Sequence, residues 1–333
     1  MGSLKDRSGS RHNKQTGIKS TEAPPGHPTA GQGGVIGGTP MSEKQSVVMK
    51  LNIPFCTRKP SFVGKELIET GKTDLVRRYV LALAQELAAN GKEFSDCRVE
   101  AIRLGGGTAS IMGGEDFDRL CRLIRERYNV AENAPITMRC SPADINGANQ
   151  PFFNRNHVTR YDLEFFSLEP QDFIHLDFLN YMDQLPYISS GFLRASQRPV
   201  MGFVLLCGKK TVSRYGFRRS VLETTRRPVS HVLLQKCAGA DRMSEEECAA
   251  QLREAAELLK AAGYREYLPQ RWAKEGSEDR FWTESAAGTP VLAFGLGAVT
   301  TIDGAVSRNT TDLEQYLNYS GDFEAITAEA KPV

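Results

Sequence analysis

Residues Leu51–Val63 have the sequence LNIPFCTRKPSFV and mark the point where an apolar run gives way to a loop with a single cysteine, Cys56. The run Val47–Ile53 is rich in β-branched and apolar residues, which favours a strand. Pro54 and the polar residues beyond it favour a loop directly after that strand. An isolated cysteine in such a loop is more often a packing residue than a metal ligand.

Outward from this loop, helical and strand patterns alternate along the chain. The predicted helices are Asp74–Asn90, Glu115–Tyr128, Phe173–Leu185, Phe217–Arg226 and Ser244–Ala262, and the further strands are Val99–Leu104, Ile136–Cys140, Val158–Leu163, Val200–Cys207 and His231–Leu234. Ser244 and Glu247 form a predicted capping box, and Gly263 is placed to end the last helix. This alternation predicts a parallel α/β sheet, open or closed into a barrel, with ligands at the carboxyl ends of its strands.

Composition narrows the class of protein. The chain has 333 residues and a formal charge of +2, which indicates no nucleic-acid partner. No apolar run reaches the roughly 18–20 residues of a membrane span, and no secretory signal is recognisable. The seven cysteines are an odd number and do not suggest a disulfide framework, so we expect a cytoplasmic protein.

The predicted organisation has three parts. Residues 1–44 are rich in Gly, Ser, Thr, Pro and Lys, so we expect a disordered tail or an expression scar, with Met41 as an alternative start. Residues 45–262 carry the strand and helix alternation. Residues 263–333 form a predicted C-terminal extension.

Two glycine-rich turns are candidate binding elements. Gly105, Gly106, Gly107 and Thr108 follow the second strand, where backbone amides can approach a ligand closely. A tight βα turn explains these glycines equally well, and no lysine follows at the spacing of a nucleotide-binding loop. The second turn, Phe294–Ala298, contains Gly295 and Gly297 and has a turn at a sheet end as its simplest explanation.

The order and spacing of these motifs resemble the radical S-adenosylmethionine (SAM) enzymes, in the oxygen-independent coproporphyrinogen III oxidase and haem-chaperone (HemN/HemW-like) branch. The resemblance covers Val47–Leu317 and implies a partial (β/α)6 TIM-like barrel with a short extension that lacks the usual terminal helical module. It implies a [4Fe–4S] cluster and SAM as the ancestral cofactors. The cofactor-binding positions that it implies are Cys56, Phe62, Gly105, Gly106, Gly107, Thr108, Gly295 and Gly297.

The same comparison shows departures from the family pattern Tyr-x-His-Ile-Pro-Phe-Cys-x-x-x-Cys-x-aromatic-Cys. The second and third cysteine positions are Pro60 and Val63, and the Tyr and His positions are Lys50 and Asn52. Because neither Pro nor Val can ligate iron, Cys56 is predicted to be only a remnant of a metal site. Further family positions that differ are Arg139 for Glu, Phe166 for Gln, Gly202 for Asp, and Ser277–Trp282 for the haem-carrying motif His-Asn-x-x-Tyr-Trp.

Two hypotheses follow. The first is a homologue without a cluster, without bound cofactor and without catalytic residues, acting as a partner of a complete-motif homologue or as a binding protein for a tetrapyrrole. A positive pocket of Lys50, Arg139, Lys209 and Lys210 would suit the carboxylates of such a ligand. The second is an active oxidoreductase of porphyrin metabolism whose cluster is ligated unusually, by Cys56 together with Cys140 and Cys207.

Overall fold

The computed structural model describes residues 45–62, 64, 67–176, 186 and 198–332. The strands are β1 (Ser46–Ile53), β2 (Phe55–Cys56), β3 (Ile68–Glu69), β4 (Arg98–Gly106), β5 (Asn129–Val130), β6 (Ile136–Cys140), β7 (Val158–Phe166), β8 (Val200–Cys207), β9 (His231–Lys236), β10 (Arg265–Leu268), β11 (Arg271–Ala273), β12 (Val291–Phe294), β13 (Val299–Ile302), β14 (Ala305–Asn309) and β15 (Thr327–Pro332). The helices are α1 (Thr73–Asn90), α2 (Gly113–Arg127), α3 (Gln150–Arg155), α4 (Phe173–Leu176), α5 (Arg214–Thr225), α6 (Glu245–Ala261), α7 (Arg280–Ala286), α8 (Leu313–Tyr319) and α9 (Phe323–Ile326).

The large sheet contains β1, β4, β6, β7, β8 and β9 side by side, all parallel and in chain order. A doubly wound sheet would reverse its strand order at a switch point, whereas strands in chain order are those of a barrel. The predicted α/β fold with a parallel sheet is therefore confirmed. Among the described residues the two outer strands of this sheet do not pair with each other, so the sheet is open.

The chain beyond residue 262 adds strands to both edges of the sheet. Strands β10 and β11 extend the edge at β9, and β12 to β15 extend the edge at β1, where β12 is parallel and the rest antiparallel. The predicted boundary near residue 262 stays a prediction.

The two faces of the sheet differ in character. On β1, Val47, Met49, Leu51 and Ile53 belong to the main hydrophobic core, which also contains the buried side chains of α1 and α2. Val48 instead joins a small cluster with Ala101 and Phe281, with Trp282 packed against it, on the concave face. Alternate residues of a strand point to opposite faces, so Lys50 and Asn52 follow Val48 on the concave side. Helix α7 thus fills one end of the concave face.

The structure agrees closely with the helix start and end signals predicted from the sequence. Ser244 and Glu247 form the predicted capping box at the start of α6. Gly263 has a φ of 84°, and the amides of Gly263 and Tyr264 donate to Lys260 and Leu259, which is a Schellman ending. The predicted helix Phe173–Leu185 is described only as α4, and its remainder lies outside the described residues. None of the helices that can be described is long and apolar enough to cross a bilayer.

Candidate functional site

Cys56 lies in the short strand β2, directly after β1, and is buried. Its Sγ lies 3.8 Å from the carbonyl oxygen of Ile68 on the neighbouring strand β3. Burial raises the pKa of the Cys56 thiol to about 11, and the nearby Glu164 and Glu69 carboxylates add to this effect. The free thiol is therefore protonated at neutral pH.

The loop after Cys56 crosses the carboxyl ends of the parallel strands, a region that we call the mouth, and is hydrogen-bonded on its far side. The Ala238 amide, just beyond β9, donates to the Phe62 carbonyl oxygen over 2.9 Å. The Phe62 ring meets the Phe166 ring edge-on, with centroids 4.7 Å apart. Pro60, at the second cysteine position of the family motif, is buried, and Val63 lies outside the described residues. Phe62 and Phe166 thus cover this side of the mouth.

The first glycine turn holds the Cys56 loop in place. The amides of Gly107 and Thr108 donate to the carbonyl oxygens of Ile53 and Phe55 over 2.8 and 2.9 Å. A Cβ at Gly107 would collide with the Phe55 oxygen, so only glycine fits there. Gly105 differs, since it is buried yet has no atom within 4 Å of the position that a Cβ would take. These two amides are used by the fold, and open space remains at Gly105.

Glu164 is held by two side chains within the mouth. Arg139 Nε donates to Glu164 Oε1 over 2.6 Å, and Thr108 Oγ1 donates to Glu164 Oε2 over 2.6 Å. Arg139 also donates to Gln235 Oε1 over 2.6 Å. The Lys209 ammonium pairs with Asp241 at 2.9 Å. The prediction that Arg139 and Lys209 contribute to a positive pocket is wrong, because each of them is neutralised by a carboxylate.

A second polar cluster lies deeper on the concave face. Arg103 pairs with Asp162 at 2.8 Å and also with Asp279. Burial would raise the pKa of Asp162, but Arg103 and His231 hold it well below its usual range. His231 Nε2 lies 2.8 Å from Tyr267 Oη, and burial lowers the pKa of His231, which keeps the ring neutral. Sequence reasoning missed this cluster, although an arginine within the buried pattern of β4 was a signal.

The second glycine turn is anchored to helix α1. The buried carboxylate of Glu86 accepts from the Gly295 amide at 2.8 Å, from Asn309 Nδ2 at 2.6 Å and from the Tyr316 hydroxyl at 2.6 Å. Burial raises the pKa of Glu86 to about 7 despite these three donors. Tyr79 Oη accepts from the Leu296 amide at 2.8 Å. The Gly295 amide is therefore bound within the protein.

A cavity of about 490 Å3 lies beside the mouth, within the size range of small-molecule sites. Its walls combine apolar and polar side chains, and its lining includes Asn52, Gly106, Leu296, Gly297 and Arg308. Asn52 Nδ2 donates to the Leu296 carbonyl oxygen over 2.7 Å, while Asn52 Oδ1 is buried without a hydrogen-bond partner. Two of the predicted cofactor positions, Gly106 and Gly297, thus line a cavity that could hold a ligand.

The donor set does not fit an iron–sulfur cluster. Within the described ranges, no group of three His, Cys, Asp or Glu side chains is close enough to hold a metal ion. The prediction that Cys140 and Cys207 face the mouth is wrong. Cys140 shares the face of Met138 in the main core, and Cys207 contacts Cys248 of helix α6. Strand alternation directs both thiols toward the helices, away from Cys56.

The strand order, the loop after β1 and the glycine turn after β4 define a protein with the fold of radical SAM enzymes. The solved structure of coproporphyrinogen III oxidase (HemN) from Escherichia coli, described as a radical SAM enzyme, matches with a TM-score of 0.76. The match covers 87% of this chain and 72% of that one at 17% identity, and at that identity it shows the fold alone.

The sequence relatives are coproporphyrinogen III oxidases and heme chaperones. Oxygen-independent coproporphyrinogen III oxidase of Escherichia coli strain K12 is 23% identical over 296 residues, which is 80% of this chain and 64% of the relative. The heme chaperone HemW of Mycobacterium tuberculosis strain H37Rv is 27% identical over 94 residues, 28% of this chain and 24% of its own. No family model matches. The resemblance predicted from the motifs is confirmed, and the chain spans about 64% of the length of the Escherichia coli oxidase.

Proposed function

We propose that this chain is a non-catalytic homologue of the oxygen-independent coproporphyrinogen III oxidases that assembles no [4Fe–4S] cluster. One observation carries the proposal: Cys56 is a single, buried thiol in a loop whose second ligand position is Pro60. A cluster of this type needs several thiolates that converge on it. One thiol cannot supply that coordination.

The surroundings of the loop support the same proposal. The Gly107 and Thr108 amides bond to the loop backbone, and Glu164 is engaged by Arg139 and Thr108. Groups that are already hydrogen-bonded must lose those bonds before they can bind an incoming cofactor. SAM would therefore meet few free polar groups on this side of the mouth.

In place of catalysis, we propose that the chain binds a tetrapyrrole, or pairs with a complete-motif homologue, in the cytoplasm. The cavity of about 490 Å3 supports the ligand-binding form, because apolar walls at Leu296 adjoin a polar rim at Asn52 and Arg308. A tetrapyrrole combines an apolar ring with acidic side groups, and such a lining complements both.

Anaerobic reconstitution with iron and sulfide tests the loss of the cluster. We expect no broad absorption near 400 nm and no more bound iron than in Cys56→Ala. The Escherichia coli oxidase, treated in parallel, controls for the procedure. A stoichiometric cluster signal that disappears in Cys56→Ala would contradict the proposal and favour the active oxidoreductase with an unusually ligated cluster.

Separate experiments test tetrapyrrole binding and pairing with a homologue. Titration with coproporphyrin or haem should quench the fluorescence of Trp272 or Trp282, with saturation at micromolar ligand. Leu296→Arg, which places a charge in the cavity wall, should weaken quenching, whereas the exposed control Leu81→Arg should leave it unchanged. No quenching would remove the ligand-binding form. Co-expression with a complete-motif homologue should then give a stable complex, and strict monomers would remove the partner form.

A further inference from the structure

Lys50 occupies an unusual position on the concave face of the sheet. It lies on β1 between Val48 and Asn52, and it is in register with Arg103 on β4 and Ala293 on β12. Val48 packs with Phe281 at one end of this face. Strand alternation therefore directs the half-buried Lys50 side chain inward, beside a second cation.

The charges of its neighbours are compensated, but that of Lys50 is not. Arg103 pairs with Asp162 and Asp279, and Arg139 pairs with Glu164. Of the residues that can be described, none forms a hydrogen bond or an ion pair with the Lys50 ammonium group. Burial and then the positive charge of Arg103 lower the pKa of Lys50. A lysine desolvated beside another cation is the environment that activates an amine as a nucleophile.

Open space lies on the same face of the sheet as Lys50, two residues further along the strands. Gly105 is two residues beyond Arg103 on the same face of β4, is buried, and has nothing within 4 Å of its Cβ direction. Asn52 is in register with Gly105, and its Oδ1 has no hydrogen-bond partner. Asn52 also lines the cavity of about 490 Å3.

We propose that Lys50 is a reactive amine that captures a small carbonyl compound, an aldehyde or α-keto acid, as an imine. The neutral amine attacks the carbonyl carbon and forms a C–N bond. The resulting carbinolamine loses its oxygen as water, and the two amine hydrogens leave with it as the C=N bond forms. No oxidant or reductant takes part.

The proposal goes beyond the proposed function, since it requires neither a cluster nor a tetrapyrrole. The test uses glyoxylate with cyanoborohydride, which reduces the imine to a stable adduct that peptide mass spectrometry locates. A lowered amine pKa raises the neutral, nucleophilic fraction of the amine at neutral pH. At pH 7 we therefore expect Lys50 to be labelled faster than the exposed Lys72 and Lys92.

Two comparisons complete the test. Lys50→Arg cannot form an imine at this position, so the fast labelling should disappear and only that of the exposed lysines should remain, while the circular dichroism spectrum is unchanged. Should that variant not fold, the ratio of Lys50 to Lys72 labelling in the unaltered chain decides alone. Labelling of Lys50 no faster than that of Lys72 and Lys92 would overturn the proposal. Because no iron is involved, this result is independent of the reconstitution experiment.

Discussion

Replacement of Glu86 by Gln should change how the stability of the protein depends on pH. The Glu86 carboxylate is buried and accepts hydrogen bonds from Gly295, Asn309 and Tyr316, which join helix α1 to the second glycine turn and to α8. Burial raises its pKa from 4.5 to about 7. Gln has nearly the same shape but cannot titrate, so the variant removes this ionisation with little change in packing.

The sign and the size of this pH dependence follow from the linkage between protonation and folding. Because folding raises the pKa of Glu86, its protonation contributes stability that is fully present below pH 4.5 and is lost as the pH rises through about 7. One pKa unit corresponds to about 1.4 kcal/mol, so the contribution amounts to about 3 kcal/mol. Relative to Glu86→Gln, the unaltered chain should therefore gain about 2.5 kcal/mol between pH 8 and pH 5.

Urea denaturation at pH 5, 6, 7 and 8 measures this difference, since all other ionisations are common to both proteins. Glu257→Gln, at an exposed position on helix α6, is the matched control and should follow the unaltered chain at every pH. If Glu86→Gln also followed the unaltered chain, the burial of an uncompensated carboxylate at Glu86 would be refuted.

Two other substitutions and one labelling experiment test the mouth and the deeper cluster. Gly107→Ala should lower the free energy of unfolding by roughly 1–3 kcal/mol, because its Cβ collides with the Phe55 carbonyl oxygen; Gly71→Ala, which meets no atom and has no positive φ, separates this clash from the general effect of losing glycine. Arg103→Met should cost roughly 3–5 kcal/mol in urea denaturation, since it leaves two buried carboxylates unpaired, and a loss below 1 kcal/mol would contradict their burial. At pH 7.5, native Cys56 should react with iodoacetamide roughly a hundredfold more slowly than in urea, because its pKa is raised from 9.0 to about 11; equal rates would show an accessible thiolate.

The fold could be read from the sequence because its signals are local. Apolar runs such as Val200–Cys207 and helices with complete end signals, such as Glu245–Ala261, alternate in an order that parallel strands require. The strand order itself then follows from the short connections between consecutive elements. Element ends were less well defined, as at β7, which extends to Phe166 and so past the predicted Leu163.

The site was harder to predict because its decisive contacts join distant parts of the chain. Lys209 and Asp241 are 32 residues apart, and Arg103 and Asp279 are 176 apart, so no local pattern reveals either pair. The orientation of Cys140 was a different kind of error. Its neighbour Arg139 is predicted to line the pocket, and alternation along a strand directs the adjacent side chain to the other face.

The most direct test of the central claim is the iron and sulfide content of the chain purified anaerobically from cells that overproduce cluster-assembly proteins. We predict iron well below one atom per chain, unchanged in Cys56→Ala, while the Escherichia coli oxidase from the same cells carries about four. About four irons and four sulfides per chain, lost in Cys56→Ala, would contradict the claim that Cys56 no longer ligates a cluster.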